Sequence, residues 1–319
     1  MRIIAVEEHF RTPSLRDSDK PAQPKSASDD DTKRLAITNS RLDNIDAVRI
    51  AEMDAAGVDM QVIGHAVSSV EQLSSKQALP LAREANDVLA EAVRAHPDRF
   101  AGFATLPISD PDAAATELER CVTTYGFVGA MVCGHGADFY LDDRRAWPIF
   151  ECAQALDVPI YLHPAGPHPD VVRAYYSGYE STGLKTAPWG WGVEAGTQAV
   201  RLILSGLFDV HPRLRILLGH LGEMIPYAAL RLDRARTTLQ RKPSEYFCEH
   251  FYITTSGNFH YPAMLCAMMT MGPEHVLFAV DYPYVENHTG VDFLRSAPLS
   301  DADRELIAHG NAERLLKLR

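Results

Sequence analysis

The chain has 319 residues, 46% of them hydrophobic and 23% charged, with a formal net charge of -11 at pH 7. That apolar content supports a large core, and the length suits one barrel with loop insertions as well as two domains. The acidic balance, with no basic stripe to neutralise phosphates, argues against a nucleic-acid partner, and no apolar stretch is long enough to span a bilayer. An acidic residue stands near the amino terminus where a secretory signal needs an extended apolar core, so a cytoplasmic setting is expected. The five cysteines, Cys121, Cys133, Cys152, Cys248 and Cys266, are scattered and form no CxxC pair. They read as mostly buried thiols, neither a disulfide framework nor a thiolate zinc site. A small-molecule enzyme is the default class.

In chain order, the apolar run Ile3-Ile4-Ala5-Val6 predicts a first strand ending in Glu7 and His9. A polar insertion of about 11–40, rich in Ser, Asp, Lys and Pro, shows no periodicity and predicts a long loop or partly ordered excursion. The spacing of Ile45, Val48, Ile50 and Met53 predicts a helix over 45–56, closed by Gly57. Strand two follows at 60–64, an Ala-rich helix at 75–95, strand three at 100–106, and a helix over 112–124 capped by Asp110. Strand four falls at 128–132, a helix at 146–156, and strand five from Pro159. An aromatic loop of about 164–191 holds Tyr175, Tyr176, Tyr179, Trp189 and Trp191. Helix 193–207, strand six from Leu214, helix 223–239, strand seven at 251–255, helix 262–271 and strand eight from Val276 complete the count. Eight strands alternating with helices predict a single (β/α)8 TIM barrel spanning 1–319.

Four of the apolar runs end in residues that bind metals: Glu7 and His9, His163, His220 and Asp281. Side chains alternate along a strand, so Glu7 and His9 should face one way and Glu8 the other. Alone, a His or Asp after a strand is most often a cap or a satisfied loop residue. Jointly they fit a barrel, whose carboxyl strand ends converge on one mouth and whose strands one and eight are neighbours. An open doubly wound sheet shares the alternation, but no Gly-rich phosphate fingerprint follows strand one.

The segments Val6-Glu7-Glu8-His9-Phe10, Tyr161-Leu162-His163-Pro164, Leu218-Gly219-His220-Leu221-Gly222-Glu223, Asp281-Tyr282-Pro283 and Gly310-Asn311-Ala312-Glu313-Arg314-Leu315-Leu316 resemble the metal-dependent decarboxylase (ACMSD-like) branch of the amidohydrolase superfamily over nearly the whole chain. Within it the sequence is most similar to decarboxylases of ortho-hydroxylated benzoates, the γ-resorcylate and 5-carboxyvanillate type. The first strand ends in Glu-x-His, where hydrolytic members usually show His-x-His. The resemblance implies one divalent metal held by Glu7, His9, His163 and Asp281, with His220 and Glu223 as catalytic residues beside it. The polar insertion looks longer than the family's usual first loop.

Two carboxylates and two neutral imidazoles around a divalent cation make a formally neutral site suited to Mn2+ or Zn2+. A salicylate-type substrate can chelate such a cation through its carboxylate and ortho oxygen. Asp281 is the candidate acid that protonates the ring carbon before loss of CO2. His220 would bond a substrate oxygen and Glu223 would set its tautomer, although an acidic residue in a first helical turn also stabilises the helix dipole whatever its function. Trp189 and Trp191 are candidate walls for a planar ring, and Arg231 a candidate partner for its carboxylate, perhaps across a dimer; a homodimer or homotetramer is expected. His65 and His135, also after strands, are not expected to be ligands. Strand four offers Cys133 and no lysine, so a carbamylated-lysine bridge between two metals has no candidate. The alternative activity is metal-dependent hydrolysis of a small cyclic amide, ester or lactone, and the remaining one a noncatalytic barrel.

Overall fold

The computed structural model describes residues 1–18, 29–67 and 70–318. Eight parallel strands lie side by side in chain order: β1 Ile4–Phe10, β2 Met60–His65, β3 Phe100–Thr105, β4 Gly129–Cys133, β5 Ile160–His163, β6 Ile216–Leu218, β7 Phe251–Thr254 and β8 Val276–Leu277. The seam between β1 and β8 is closed by backbone bonds, Val6 N–H to the Phe278 carbonyl (3.0 Å), His9 N–H to the Tyr282 carbonyl (2.8 Å) and Asp281 N–H to the Glu7 carbonyl (3.1 Å). The predicted (β/α)8 barrel is therefore the observed one.

Two concentric cores follow from the pleat. Ile4, Val6, Met60, Val62, Phe103, Tyr161 and Leu217 fill the barrel interior, while Ile3, Ala5, Phe10, Ile63 and Leu162 pack outward against the helices. In β1 this alternation breaks once. The pairing with β2 advances from Ala5↔Gln61 to Glu8↔Ile63, so three residues of β1 oppose two of β2. This bulge puts both Val6 and Glu7 on the interior side, a local re-aiming that bulges commonly perform. Strict alternation from Ile4 would have turned Glu7 and His9 outward, into the helical layer.

Glu8 faces outward and is fully buried. Its two oxygens accept the N–H groups of Val280 and Tyr282, both at 2.8 Å, and so clasp the strand-eight side of the seam. Burial pushes this carboxyl well above its ordinary range, and the two N–H donors only partly offset that. Behind it the buried Arg49 donates to the His9 carbonyl and to Gln61 Oε1, and its guanidinium lies 4.7 Å from the Tyr282 ring centroid.

Several predicted elements need correction. The polar insertion contains two helices, Pro13–Ser18 and Asp29–Leu42, while residues 19–28 of that stretch lie outside the described residues. The second helix is exposed along most of its length, so no apolar stripe marks it. It is held at its end by Arg41 on Glu52 (3.0 Å) and Glu286 (2.6 Å), and by Arg11 on Asn39 (3.0 Å). The helix expected over 223–239 is only Ile225–Leu232. Asp233 leaves it to accept from Ser244 N and Oγ, both at 2.9 Å, at the head of a helix Pro243–His250 that the sequence did not reveal. Only Cys121 and Cys133 are buried; Cys152, Cys248 and Cys266 are half-buried.

Removing the Glu8 clasp leaves two buried N–H groups unpaired and a cavity behind β1. Glu8→Ala is expected to cost about 3–5 kcal/mol of stability, and Glu8→Gln less because its amide oxygen keeps one of the bonds; urea unfolding of the metal-free proteins measures both.

Candidate metal centre

The inward side chains at the strand ends build the centre in layers. Tyr161 on β5, and Thr254 and Ser256 at the end of β7, all donate to Glu7 Oε2, Thr254 at 3.0 Å. Three hydroxyls thus fix one oxygen of Glu7 and leave Oε1 buried with no hydrogen-bond partner among the described residues. Gly219 makes the fit possible, since a Cβ there would lie 2.8 Å from Glu7 Oε2. None of these four supporting residues was picked out from the sequence as part of the site. The signal was available: Tyr161 and Gly219 stand two and one residues before His163 and His220, on runs already chosen.

Around Glu7 Oε1 stand His163 Nε2 at 3.3 Å and His220 Nε2 at 3.7 Å, and His9 Nε2 lies 3.2 Å from Asp281 Oδ1. One ligand atom from each of Glu7, His9, His163 and Asp281 falls within 4.8 Å of every other. His163 is oriented by Nδ1, 2.8 Å from the Pro164 carbonyl, which leaves Nε2 for the centre. Both ring nitrogens of His9 are buried, with no hydrogen-bond partner among the described residues. Buried polar atoms left unpaired are costly. Here they are two imidazoles and a carboxylate oxygen converging on one point, a donor set that fits a divalent cation. Burial alone would raise the Glu7 carboxyl; the imidazoles of His220, His163 and His9 outweigh it and hold the group at about 2, so Glu7 stays a carboxylate. Burial lowers His9 and keeps it in the neutral, ligating form.

His220 and Glu223 are brought together by an unusual backbone. His220, Leu221, Gly222, Glu223 and Met224 all have positive φ, 53°, 59°, 84°, 49° and 68°. Non-glycine residues pay about 1 kcal/mol each for the left-handed region. One turn of left-handed chain places residues three apart on the same side, and His220 Nδ1 lies 2.6 Å from Glu223 Oε1. Glu223 therefore sits in a strained turn ahead of the helix and not, as expected, in its first turn, so the dipole explanation for its presence falls away. Burial opposes the imidazolium of His220, but Glu223, Glu7 and Asp281 outweigh it and raise the group to about 10. Asp281 also has positive φ, 74°, and is followed by a cis Tyr282–Pro283 bond.

The centre opens into a cavity of about 1020 Å³. His163, His220, Glu223 and Asp281 line its floor, and Trp189, Trp191 and Tyr284 part of its wall. Tyr284, whose ring stands 5.6 Å from that of His9, and Asn258, whose amide donates to the His220 carbonyl (3.2 Å), are lining residues the sequence reading passed over. Tyr175, Tyr176 and Tyr179 do not reach this cavity. Arg231 lies outside it, exposed in the last turn of the Ile225–Leu232 helix. His65 is occupied as a structural residue, accepting from Thr12 N (3.3 Å) and bonded to the Ala66 carbonyl (2.9 Å), and burial lowers it to about 4. His135 is buried and bonded to the Gly136 carbonyl (2.6 Å). Neither joins the four-residue cluster.

A closed (β/α)8 barrel with carboxylates and imidazoles converging at its carboxyl-end mouth defines a metal-dependent barrel enzyme. The chain belongs to the amidohydrolase family, whose sequence model matches residues 22–318. The β1 pair Glu7 and His9 precedes that span but falls within the alignments to individual relatives. The chain is 40% identical over 331 positions to the γ-resorcylate decarboxylase of Polaromonas sp. (strain JS666), covering 99% of this chain and 98% of that protein. It matches, with a TM-score of 0.91 and 40% identity, the crystal structure of a dihydroxybenzoic acid decarboxylase from Polaromonas sp. JS666 with bound manganese and the inhibitor 2-nitroresorcinol, covering 99% of this chain and 97% of that one. A TM-score of 0.91 and 37% identity relate it to 5-carboxyvanillate decarboxylase from Sphingomonas paucimobilis, over 100% and 99% of the two chains.

The hydroxyls behind Glu7 should matter for metal binding although they touch no cation. Thr254→Val, which keeps the shape and removes one donor, is expected to weaken Mn2+ binding about ten-fold, and Glu7→Gln by more; calorimetric titration of metal-stripped protein checks both.

Proposed function

We propose that the protein is a metal-dependent nonoxidative decarboxylase of ortho-hydroxylated aromatic acids of the dihydroxybenzoate type. The observation that carries this is Glu7, a carboxylate fixed by three hydroxyls with its second oxygen directed at the centre, in a chain whose relatives include decarboxylases of such acids. The cation that Glu7, His9, His163 and Asp281 would hold, manganese or zinc, supplies a Lewis-acidic anchor for the substrate's carboxylate and ortho oxygens.

The chain's own residues supply the rest. Of the four ligand residues Asp281 alone has a partly exposed side chain, 17% against 0% for Glu7 and His9 and 4% for His163, so it is the one that can face a bound ring. Acting as the general acid, its carboxyl delivers a proton to the ring carbon that bears the carboxylate. That carbon becomes tetrahedral, its bond to the carboxylate breaks, CO2 leaves and the electron pair restores the aromatic ring. Without this proton the departing pair would sit in the ring plane, orthogonal to the π-system. His220, fixed through Nδ1 by Glu223, presents Nε2 to a substrate oxygen. Trp189 and Trp191 flank the ring and limit water above it.

Arg231 is read as a substrate-carboxylate partner supplied by a second copy. It shares a helix with Tyr227 (89% exposed) and Leu230 (80%), next to Met269 (89%) on the neighbouring helix Tyr261–Met271. Such an exposed apolar face beside the cavity mouth suits a homodimer or homotetramer interface. Among the described residues the Arg231 side chain has no ion-pair or hydrogen-bond partner. The rest of the reading is a single catalytic domain working in the cytoplasm on small acids, with neither nucleic acid nor membrane as partner. No helix among the described residues is long and apolar enough to cross a membrane.

Metal-loaded protein is expected to release CO2 from 2,6-dihydroxybenzoate or 5-carboxyvanillate, and Asp281→Asn to lose at least about 10³-fold in kcat. Hydrolysis of lactones or cyclic amides with no CO2 release would replace this reading by the hydrolase one. Arg231→Ala alone should be nearly inactive. Mixing it with Asp281→Asn should restore about a quarter of the wild-type rate if the arginine acts across the dimer, because half of random dimers then hold one intact site; no recovery would place Arg231 outside the neighbouring site.

A further inference from the structure

The aromatic wall and the His220–Glu223 pair meet on one helix, Gly190–Leu204. Its glycines Gly192 and Gly196 are four residues apart and so share a face. Both press on Glu223. A Cβ at Gly192 would lie 2.7 Å from Glu223 Oε2, and a Cβ at Gly196 would lie 2.7 Å from the Glu223 carbonyl oxygen. Neither atom can step aside without disturbing the His220–Glu223 pair or the turn that carries it. Glu223 is buried, its Oε1 is engaged with His220 at 2.6 Å, and its backbone is held at φ 49° inside the left-handed turn. Helix propensity runs the other way, since alanine inside a helix is favoured over glycine by about 1 kcal/mol. The bare faces at 192 and 196 are thus local costs that the close approach to Glu223 explains.

We propose that Gly192 and Gly196 are positioning residues: their bare backbone sets the direction of the Glu223 carboxylate, and through it the ring of His220. Gly192 fixes the carboxylate and Gly196 the peptide that carries it. Trp191 stands beside Gly192 in the first turn of the helix and lines the cavity. One rigid element therefore carries a wall of the substrate cavity and the brace of the pair beneath it, and displacement of the aromatic wall moves Glu223 as well. The catalytic meaning of this brace rests on the role of His220 proposed above; the brace itself does not.

Zinc-loaded protein labelled with 15N-histidine reports the His220 Nδ1 resonance, assigned by its loss in His220→Asn. Gly192→Ala is expected to move that resonance to its position in Glu223→Ala. It should also lower kcat for 2,6-dihydroxybenzoate about ten- to a hundred-fold, with KM changed by less than about two-fold and the melting temperature unchanged or higher. In the Glu223→Ala background the same glycine substitution should change neither the resonance nor kcat, because the carboxylate it displaces is gone. An unmoved resonance in Gly192→Ala, or an equal loss of kcat in both backgrounds, overturns the proposal. Should Gly192→Ala fail to fold, recovery of folding in Gly192→Ala/Glu223→Ala supports the clash with Glu223, and failure of both variants overturns it. The resonance needs no substrate, so an inactive wild-type protein would sink the decarboxylase reading and leave this one standing.

Discussion

One extra residue in β1 decides where the chemistry of this protein can occur. Until Ala5 the strand alternates between barrel interior and helical layer; the bulge between Ala5 and Glu8 then turns Glu7 and His9 inward and Glu8 outward. Everything at the mouth depends on that turn. The three hydroxyls of Tyr161, Thr254 and Ser256 can reach only an inward Glu7, and the two N–H groups of Val280 and Tyr282 only an outward Glu8. The strand is held from both faces by opposite chemistry, a candidate ligand carboxylate inside and a structural one outside.

The two carboxylates show how environment separates like groups. Both are fully buried, yet Glu7 is held at about 2 by the imidazoles around it while Glu8, for which two backbone N–H groups and the weaker pull of Arg49 do not offset burial, is pushed well above the ordinary range. Burial opposes charge in each case, and only nearby positive or potentially positive groups reverse it. Glu7 is thereby kept as an anion for a cation to bind. Glu8 serves by geometry, closing the barrel seam.

The site also concentrates backbone strain. Five consecutive left-handed residues from His220 to Met224, together with Asp281, stand at the rim of the barrel. Such conformations persist where surrounding structure over-determines them. Here the restraints are Ser256 Oγ accepting the His220 N–H (3.0 Å), Asn258 on the His220 carbonyl, and the glycine face of the Gly190–Leu204 helix against Glu223. Within this strained turn the histidine and its acidic partner lie 2.6 Å apart.

Sequence alone determined the alternation of eight strands with helices, the strand ends that carry Glu7, His9, His163, His220 and Asp281, and the family these segments resemble. Those features are local: apolar runs, pleat and short motifs are written within a few residues of one another. The exposed helix Asp29–Leu42 stayed hidden because a helix without a buried face has no periodic signature. Only the tertiary structure decided that the pleat is interrupted in β1 and that Glu223 precedes its helix. It also decided that Trp189 and Trp191 reach the cavity while Arg231 points away from it in its own chain. These outcomes depend on which atoms of distant segments meet, such as Thr254 on Glu7 or Gly192 on Glu223, and no local pattern encodes an approach between residues far apart in the chain.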